Sequence, residues 1–230
     1  MYDKLKKKFG QNFLIDENIL NKISNLISDN NLNILEIGPG VGNLTDHILN
    51  RFPNKLSLVE IDKDLVLILK KKYKENKVIN IFNQNILNFE FDEKFDLVIS
   101  NLPYNVSSQI LIKICLLNNT PNKLILMFQK EFGQRLVEKK INSLNSLVNC
   151  FYDIKLKFNV SKNCFKPVPK INSSVIIFVK KKVALIHKNE VNNFIIFKRK
   201  LFSYKRKSLN NSLKRFKSQL NDFDLSVRPE

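Results

Sequence analysis

The stretch Asn33-Ile34-Leu35-Glu36-Ile37-Gly38-Pro39-Gly40-Val41-Gly42-Asn43 decides the fold. Its first five residues form a short apolar run. The run breaks into glycines at alternate positions, and helical periodicity starts at Leu44. Strand, tight loop and helix are expected in that order. Glycines at 38, 40 and 42 let the backbone turn sharply and approach a ligand, and open α/β sheets bind small molecules at the carboxyl ends of their strands. The spacing is GxGxG, so it is not the GxGxxG dinucleotide fingerprint. Taken alone, the loop also fits a purely structural turn.

Outward from this segment the same alternation continues. Residues 33–37, 56–61, 78–82, 95–100 and 124–128 read as strands, and residues 44–51, 65–73, 107–117 and 131–139 as helices. Such alternation implies βαβ units, hence an α/β fold with a mostly parallel sheet covered by helices on both faces. Upstream, Asp16 is placed to cap a helix carrying Ile19, Leu20, Ile23, Leu26 and Ile27. Downstream, apolar runs 152–160 and 175–179 flank Pro167-Val168-Pro169 and suit an antiparallel hairpin closing the sheet edge. Helical periodicity resumes near residue 190. We therefore expect a main domain over residues 1–182, with Lys180-Lys181-Lys182 leading into a small helical domain over residues 183–230.

The 230 residues carry 39 Lys plus Arg against 21 Asp plus Glu, a formal charge of +18 that favours a polyanionic partner, nucleic acid foremost. Part of this excess follows composition, because 33 Lys beside 6 Arg and a single Ala resembles coding by an AT-rich genome. Placement is more telling. From Lys180 to Lys217 there are 13 basic residues and one acidic residue, Glu190. Within that segment Leu209, Leu213, Phe216 and Leu220 make one apolar stripe, while Arg206, Lys207, Lys214, Arg215 and Lys217 fall mostly elsewhere on the wheel. An ordinary solvated face is the bland alternative, and the same applies to Lys70-Lys71-Lys72. No apolar run reaches the roughly 18 residues of a membrane span, and the basic start MYDKLKKKFGQNF has no apolar region behind it, so a cytoplasmic protein is expected. Cys115, Cys150 and Cys164 have neither CxxC nor CxxH spacing and read as reduced thiols. His47 and His187 lack partner spacing for a metal site or triad.

Glu60 follows the second strand, 22 residues after Gly38, where a carboxylate can accept both hydroxyls of a ribose. Read singly it is equally a surface acid beside Lys63. Together, a loop suited to an amino-acid moiety and a carboxylate suited to a ribose describe S-adenosylmethionine. The fourth strand ends in Ser100-Asn101-Leu102-Pro103-Tyr104, at the same edge of the sheet. This choice of residues makes sense for an exocyclic amine such as adenine N6, whose lone pair is delocalised into the ring. Asn101 Oδ1 and the Leu102 carbonyl can accept its N–H bonds and turn it towards tetrahedral geometry. Pro103 stiffens the turn, and Tyr104 can stack on the purine. A plain proline turn after a strand is the alternative.

With these blocks in view, the chain resembles the S-adenosylmethionine-dependent ribosomal RNA adenine N6-dimethyltransferases, most closely the branch acting on small-subunit RNA. The resemblance runs from Lys8-Phe9-Gly10-Gln11-Asn12-Phe13-Leu14 to Arg228-Pro229-Glu230 and includes EIGPGVGNLT, VEID, NLPYN, Gln129-Lys130-Glu131 and the block from Phe165 to Ser173. It implies a Rossmann-like methyltransferase fold. It also implies that Asn12 and Leu14 enclose the cofactor, that Gly38 and Gly40 approach its methionine part, that Glu60 holds its ribose and that Asn101 serves the methyl transfer. Phe165 would stack on the face of the target adenine opposite Tyr104, with the nucleotide turned out of its stack. The family dimethylates two adjacent adenines in a hairpin loop during assembly of the small subunit. Immature subunits are thus the implied partner and a monomer the implied state.

Two positions depart from the family pattern. Asn85 stands where the family usually has an Asp that accepts from the adenine amino group of the cofactor; Asn still accepts through Oδ1 but is neutral. The segment from Asp224 to Glu230 resembles the entry to the family's final helices, so the helical domain is expected to be incomplete. Two other readings stand beside the main one. The related large-subunit methyltransferases that confer macrolide resistance are disfavoured by Leu102, where Ile is expected, and by Gln129-Lys130-Glu131. A non-catalytic ribosome-assembly or transcription factor on the same fold is kept open by Asn85 and the short C-terminus. DNA adenine methylases commonly carry DPPY where this chain has NLPY.

Overall fold

A computed structural model describes residues 12–203 together with Ser208, Leu209, Leu213 and Ser226. In chain order the elements are β1 (Phe13–Leu14), α1 (Glu17–Ser24), β2 (Asn33–Ile37), α2 (Asn43–Leu49), β3 (Lys55–Glu60), α3 (Lys63–Lys72), β4 (Ile79–Asn83) and β5 (Leu97–Asn101). They continue with α4 (Ser107–Leu116), β6 (Lys123–Gln129), α5 (Lys130–Val137), α6 (Asn145–Phe151), β7 (Tyr152–Val160), β8 (Phe165–Lys166), β9 (Ser173–Lys180) and α7 (Val191–Phe202).

Among the described residues the main sheet has seven strands in the order β4-β3-β2-β5-β6-β9-β7. The first five are parallel, and β9 runs antiparallel to both β6 and β7. The parallel strands are apolar almost throughout because both faces are covered. Leu35, Val98 and Leu126 point into one core with Ile110, Ile114 and Phe151 of α4 and α6. Their neighbours Ile34, Leu97 and Ile125 point into the other core, with Leu20, Ile48 and Leu69 of α1, α2 and α3. The chain leaves β2 towards β3 and β4 on one side, then crosses back to β5 and β6 on the other. Strand order therefore reverses between β2 and β5, and the crevice above their carboxyl ends is where such sheets hold ligands.

The hairpin expected from residues 152–160 and 175–179 forms, with β9 inserted between β6 and the edge strand β7. Asp16 caps α1, its carboxylate accepting from Ile19 N at 3.0 Å. The sequence pattern misses α6, and it misses a two-stranded sheet in which β1 pairs antiparallel with β8, Phe13 opposite Lys166 and Leu14 opposite Phe165. The lysines that lead into the last segment are not all solvated. Lys188 Nζ donates to Cys115 O at 2.6 Å and sits over the Phe151 ring. Lys198, on α7, is buried and donates to Ser143 O at 2.8 Å. Val191 enters the main core. Of the stripe expected beyond α7, Leu209 and Leu213 are described, with Leu213 N donating to Leu209 O at 2.8 Å and Leu213 buried. Phe216, Leu220 and the basic residues from Arg206 to Lys217 lie outside the described residues, as do Lys8 to Gln11 and the Arg228-Pro229-Glu230 end. No described helix is long and apolar enough to cross a membrane, and the three cysteines are free thiols.

Candidate active site

The loop after β2 forms the floor of a cavity of about 170 Å³ at the strand-order reversal. All three of its glycines have positive φ, from 62° to 85°. A Cβ at Gly38 would meet nothing within 4 Å, whereas one at Gly40 would lie 2.6 Å from a ring carbon of Phe13. Gly38 is thus open space and Gly40 a packed contact, so β1 is pressed onto the loop. Asn43 Nδ2 fastens the same segment by donating to Leu14 O at 2.7 Å.

Glu60 closes one side. Its carboxylate is 5% exposed and accepts from Gly40 N at 3.2 Å and Asp62 N at 3.0 Å. Each oxygen keeps acceptor capacity beyond these bonds. Burial raises the Glu60 pKa above the ordinary carboxylate value, and the bonds from Asp62 and Gly40 pull it back. Glu36, which sequence reasoning left without a role, also lines the cavity. It is 2% exposed, and its pKa is raised to about 8 by burial, opposed by a 2.6 Å bond from Thr45 Oγ1. At neutral pH Glu36 is therefore mainly the neutral acid.

The sign of the stability effect follows. Between pH 4.5 and about 8 the unfolded chain has released this proton while the folded chain keeps it, so stability falls as pH rises, by up to about 1.4 kcal/mol per unit. Glu36→Gln keeps the shape without the ionisation. Thermal melts of the two proteins between pH 5 and 8 are expected to diverge, with the variant the more stable at pH 8; parallel curves would refute the assignment.

Opposite the glycine loop stands the turn after β5. Ser100 Oγ donates to Ile37 O at 2.6 Å and locks the end of β5 to the end of β2. Asn101 Nδ2 donates to Asn12 O at 2.9 Å, which leaves Oδ1 as its acceptor. Leu102 is buried, and its carbonyl belongs to the turn that Val106 N and Ser107 Oγ close onto Pro103 O and Tyr104 O. The half-buried Tyr104 ring is held by a 2.6 Å bond between its hydroxyl and Ser173 Oγ on β9. Desolvation raises the Tyr104 pKa, so the phenol stays neutral.

Asn12, Leu14, Gly38, Gly40, Glu60, Asn85, Asn101, Leu102 and Tyr104 all line this one cavity. Phe165 does not. Its ring is 1% exposed and packs in the core that holds Leu14, Ile23 and Val160. The reason is local: in the short strand β8 successive side chains alternate, and Phe165 takes the inward position while Lys166 takes the outward one. In this arrangement the Phe165 ring packs in the core and does not face the cavity. Asn85 is at the rim with its Oδ1 already accepting from Leu87 N at 3.0 Å. Sequence reasoning also passed over Ile61. It lines the cavity and is 43% exposed, and an apolar residue directly after a strand-end acid was the available signal.

A family model described as ribosomal RNA adenine dimethylase matches residues 2–224. The Ribosomal RNA small subunit methyltransferase A of Mycoplasmopsis pulmonis is 38% identical over 98% of this chain and 93% of its own. A solved dimethyladenosine transferase from Plasmodium falciparum superposes with a TM-score of 0.77 at 27% identity, covering 91% of this chain and 78% of that one. The 23S rRNA methyltransferase ErmE superposes with a TM-score of 0.75 at 21% identity over 94% and 93% of the two chains, a likeness of fold. Taken with a cavity at the β2–β5 reversal walled by a glycine loop, a buried acid and an Asn-Leu-Pro-Tyr turn, these matches show that the chain belongs to the ribosomal RNA adenine dimethylase family.

Proposed function

We propose that this protein transfers methyl groups from S-adenosylmethionine to N6 of two adjacent adenines in a hairpin loop of small-subunit ribosomal RNA, acting on immature subunits. The observation that carries the reading is the meeting, in one cavity, of Glu60 with the Asn101-Leu102-Pro103-Tyr104 turn. The residues present suit the cofactor. Glu60 offers unspent acceptor capacity for ribose hydroxyls, and Gly38 leaves open backbone where a side chain would intrude. When bound, S-adenosylmethionine supplies a methyl group activated by its sulfonium. Asn12, Leu14, Gly38, Gly40 and Glu60 would hold it, with Asn85 at the rim.

On the acceptor side, Asn101 Oδ1 and the Leu102 carbonyl take the two N–H bonds of the target amine, which localises its lone pair for attack. A strong base would not be required, since the positive charge would pass with the methyl group to the amine nitrogen, whose proton then becomes acidic enough to leave to water; positioning and a suitable electrostatic setting supply the rate. Tyr104, pinned by Ser173, stacks on the base. Residues 183–230 form the basic segment that docks RNA phosphates, in a monomer working in the cytoplasm. Mass spectrometry of ribosomal RNA from cells lacking this protein tests the whole reading. Dimethyladenosine should vanish from one loop of the small-subunit RNA; an unchanged modification pattern would overturn it.

A further inference from the structure

The glycine loop has a back as well as a front. Gly38, Pro39, Gly40 and Val41 line the cavity, but Gly42 does not. Gly42 has φ 85° and faces the end of α3, where a Cβ would lie 2.4 Å from Tyr73 Oη. Tyr73 is 9% exposed. Its hydroxyl lies 3.0 Å from Gly42 O and 2.8 Å from Asp46 Oδ1, so one O–H is shared between the loop and the first turn of α2. Asp46 is in turn paired with Lys72 Nζ at 2.5 Å, and the same ammonium reaches Val41 O at 3.4 Å and Gly42 O at 3.3 Å. Expected as a solvated run, Lys70-Lys71-Lys72 is exposed throughout, but the Lys72 ammonium also folds back onto the loop.

We propose that Tyr73, with Asp46 and Lys72, is a positioning device that holds the Gly38–Gly42 loop in its left-handed geometry from behind and so sets affinity for the methyl donor. The inference rests on the cofactor reading above. None of the three residues lines the cavity. Their effect on the ligand must therefore pass through the loop backbone, whose Val41 and Gly42 carbonyls accept their bonds. A loop free to relax would have to be reordered at each binding event, and that ordering lowers affinity.

Tyr73→Phe keeps the ring that fills the core and deletes only the hydroxyl. Calorimetric titration with S-adenosylmethionine should show a 5- to 10-fold weaker Kd, about the net worth of one hydrogen bond. The loss should fall in KM for the donor and not in kcat, and hydrogen exchange should quicken at loop amides 38–42 and not across the sheet. Asp46→Asn, which keeps an acceptor for Tyr73 but drops the charge facing Lys72, should give a smaller shift in the same direction. Equal affinities of wild type and Tyr73→Phe would overturn the device alone. A wild-type protein that gives no binding heat would overturn the cofactor reading, and the device with it.

Discussion

Asn101→Ala is expected to lower methyl incorporation into immature small subunits by about 10²- to 10³-fold, the range found when a single preorganised polar group is deleted from a transition-state site. The residue contributes twice. On the proposed function its Oδ1 would be the acceptor that turns the target amine, while its Nδ2 is anchored on Asn12 O at 2.9 Å, which fixes where Oδ1 points. Alanine removes both. Aspartate restores an acceptor oxygen but sets it against the Asn12 carbonyl, since neither group can donate. Asn101→Asp should therefore recover only part of the lost rate. Affinity for the donor should change by less than about tenfold in either variant, because Glu60 and the glycine loop remain. Tritiated methyl transfer measures the rate, and calorimetry measures the binding. Near wild-type turnover in Asn101→Ala would remove Asn101 from the chemistry.

The second large effect belongs to Glu60. Glu60→Ala should weaken S-adenosylmethionine binding by about 10- to 100-fold, the worth of hydrogen bonds to a charged group in a partly desolvated site. Glu60→Gln, which keeps one acceptor, should lose less. Stability should move little, because two opposing effects meet. The variant strands the Gly40 and Asp62 amides, but it also removes a carboxylate whose burial is unfavourable enough to raise its pKa. Since that pKa is raised, donor binding should also decline on acidification at a higher pH than an ordinary glutamate would dictate. Unchanged affinity in Glu60→Ala would place the ribose elsewhere.

Where both faces of a strand are buried, the sequence is explicit. NILEI occupies the expected residues, and the central strands from residues 55, 97 and 123 shift by one or two positions at their ends. The edge strand β4, whose INIFN pattern is only half covered, likewise shifts by one position at each end. The elements that escaped depend on partners that no periodicity encodes. β1 and β8 are two residues each, far too short for periodicity, and form because they meet. α6, NSLVNCF, is short and holds several residues that are weak helix formers. It is stabilised by local side-chain bonds in which Asn142 and Asn145 exchange side-chain and backbone contacts and Asn145 Nδ2 donates to the carbonyls of Glu138 and Lys140. At the site, loop, acid and turn were legible because chemistry restricts the residue types that can serve. The protonation of Glu36, the burial of Phe165 and the contact of Tyr73 with Gly42 depend on what packs around them, and no local pattern encodes that.

The pairing of β1 with β8 has a consequence for how the protein comes into being. Chains leave the ribosome amino end first, and contacts between distant residues wait for the later partner. A nascent chain ending before residue 165 already contains the glycine loop, Glu60 and Asn101, yet the strand that presses Phe13 onto Gly40 has nothing to pair with. On the proposed function, competence for the donor would then come late in synthesis, once residues 165 and 166 have emerged to pair with β1.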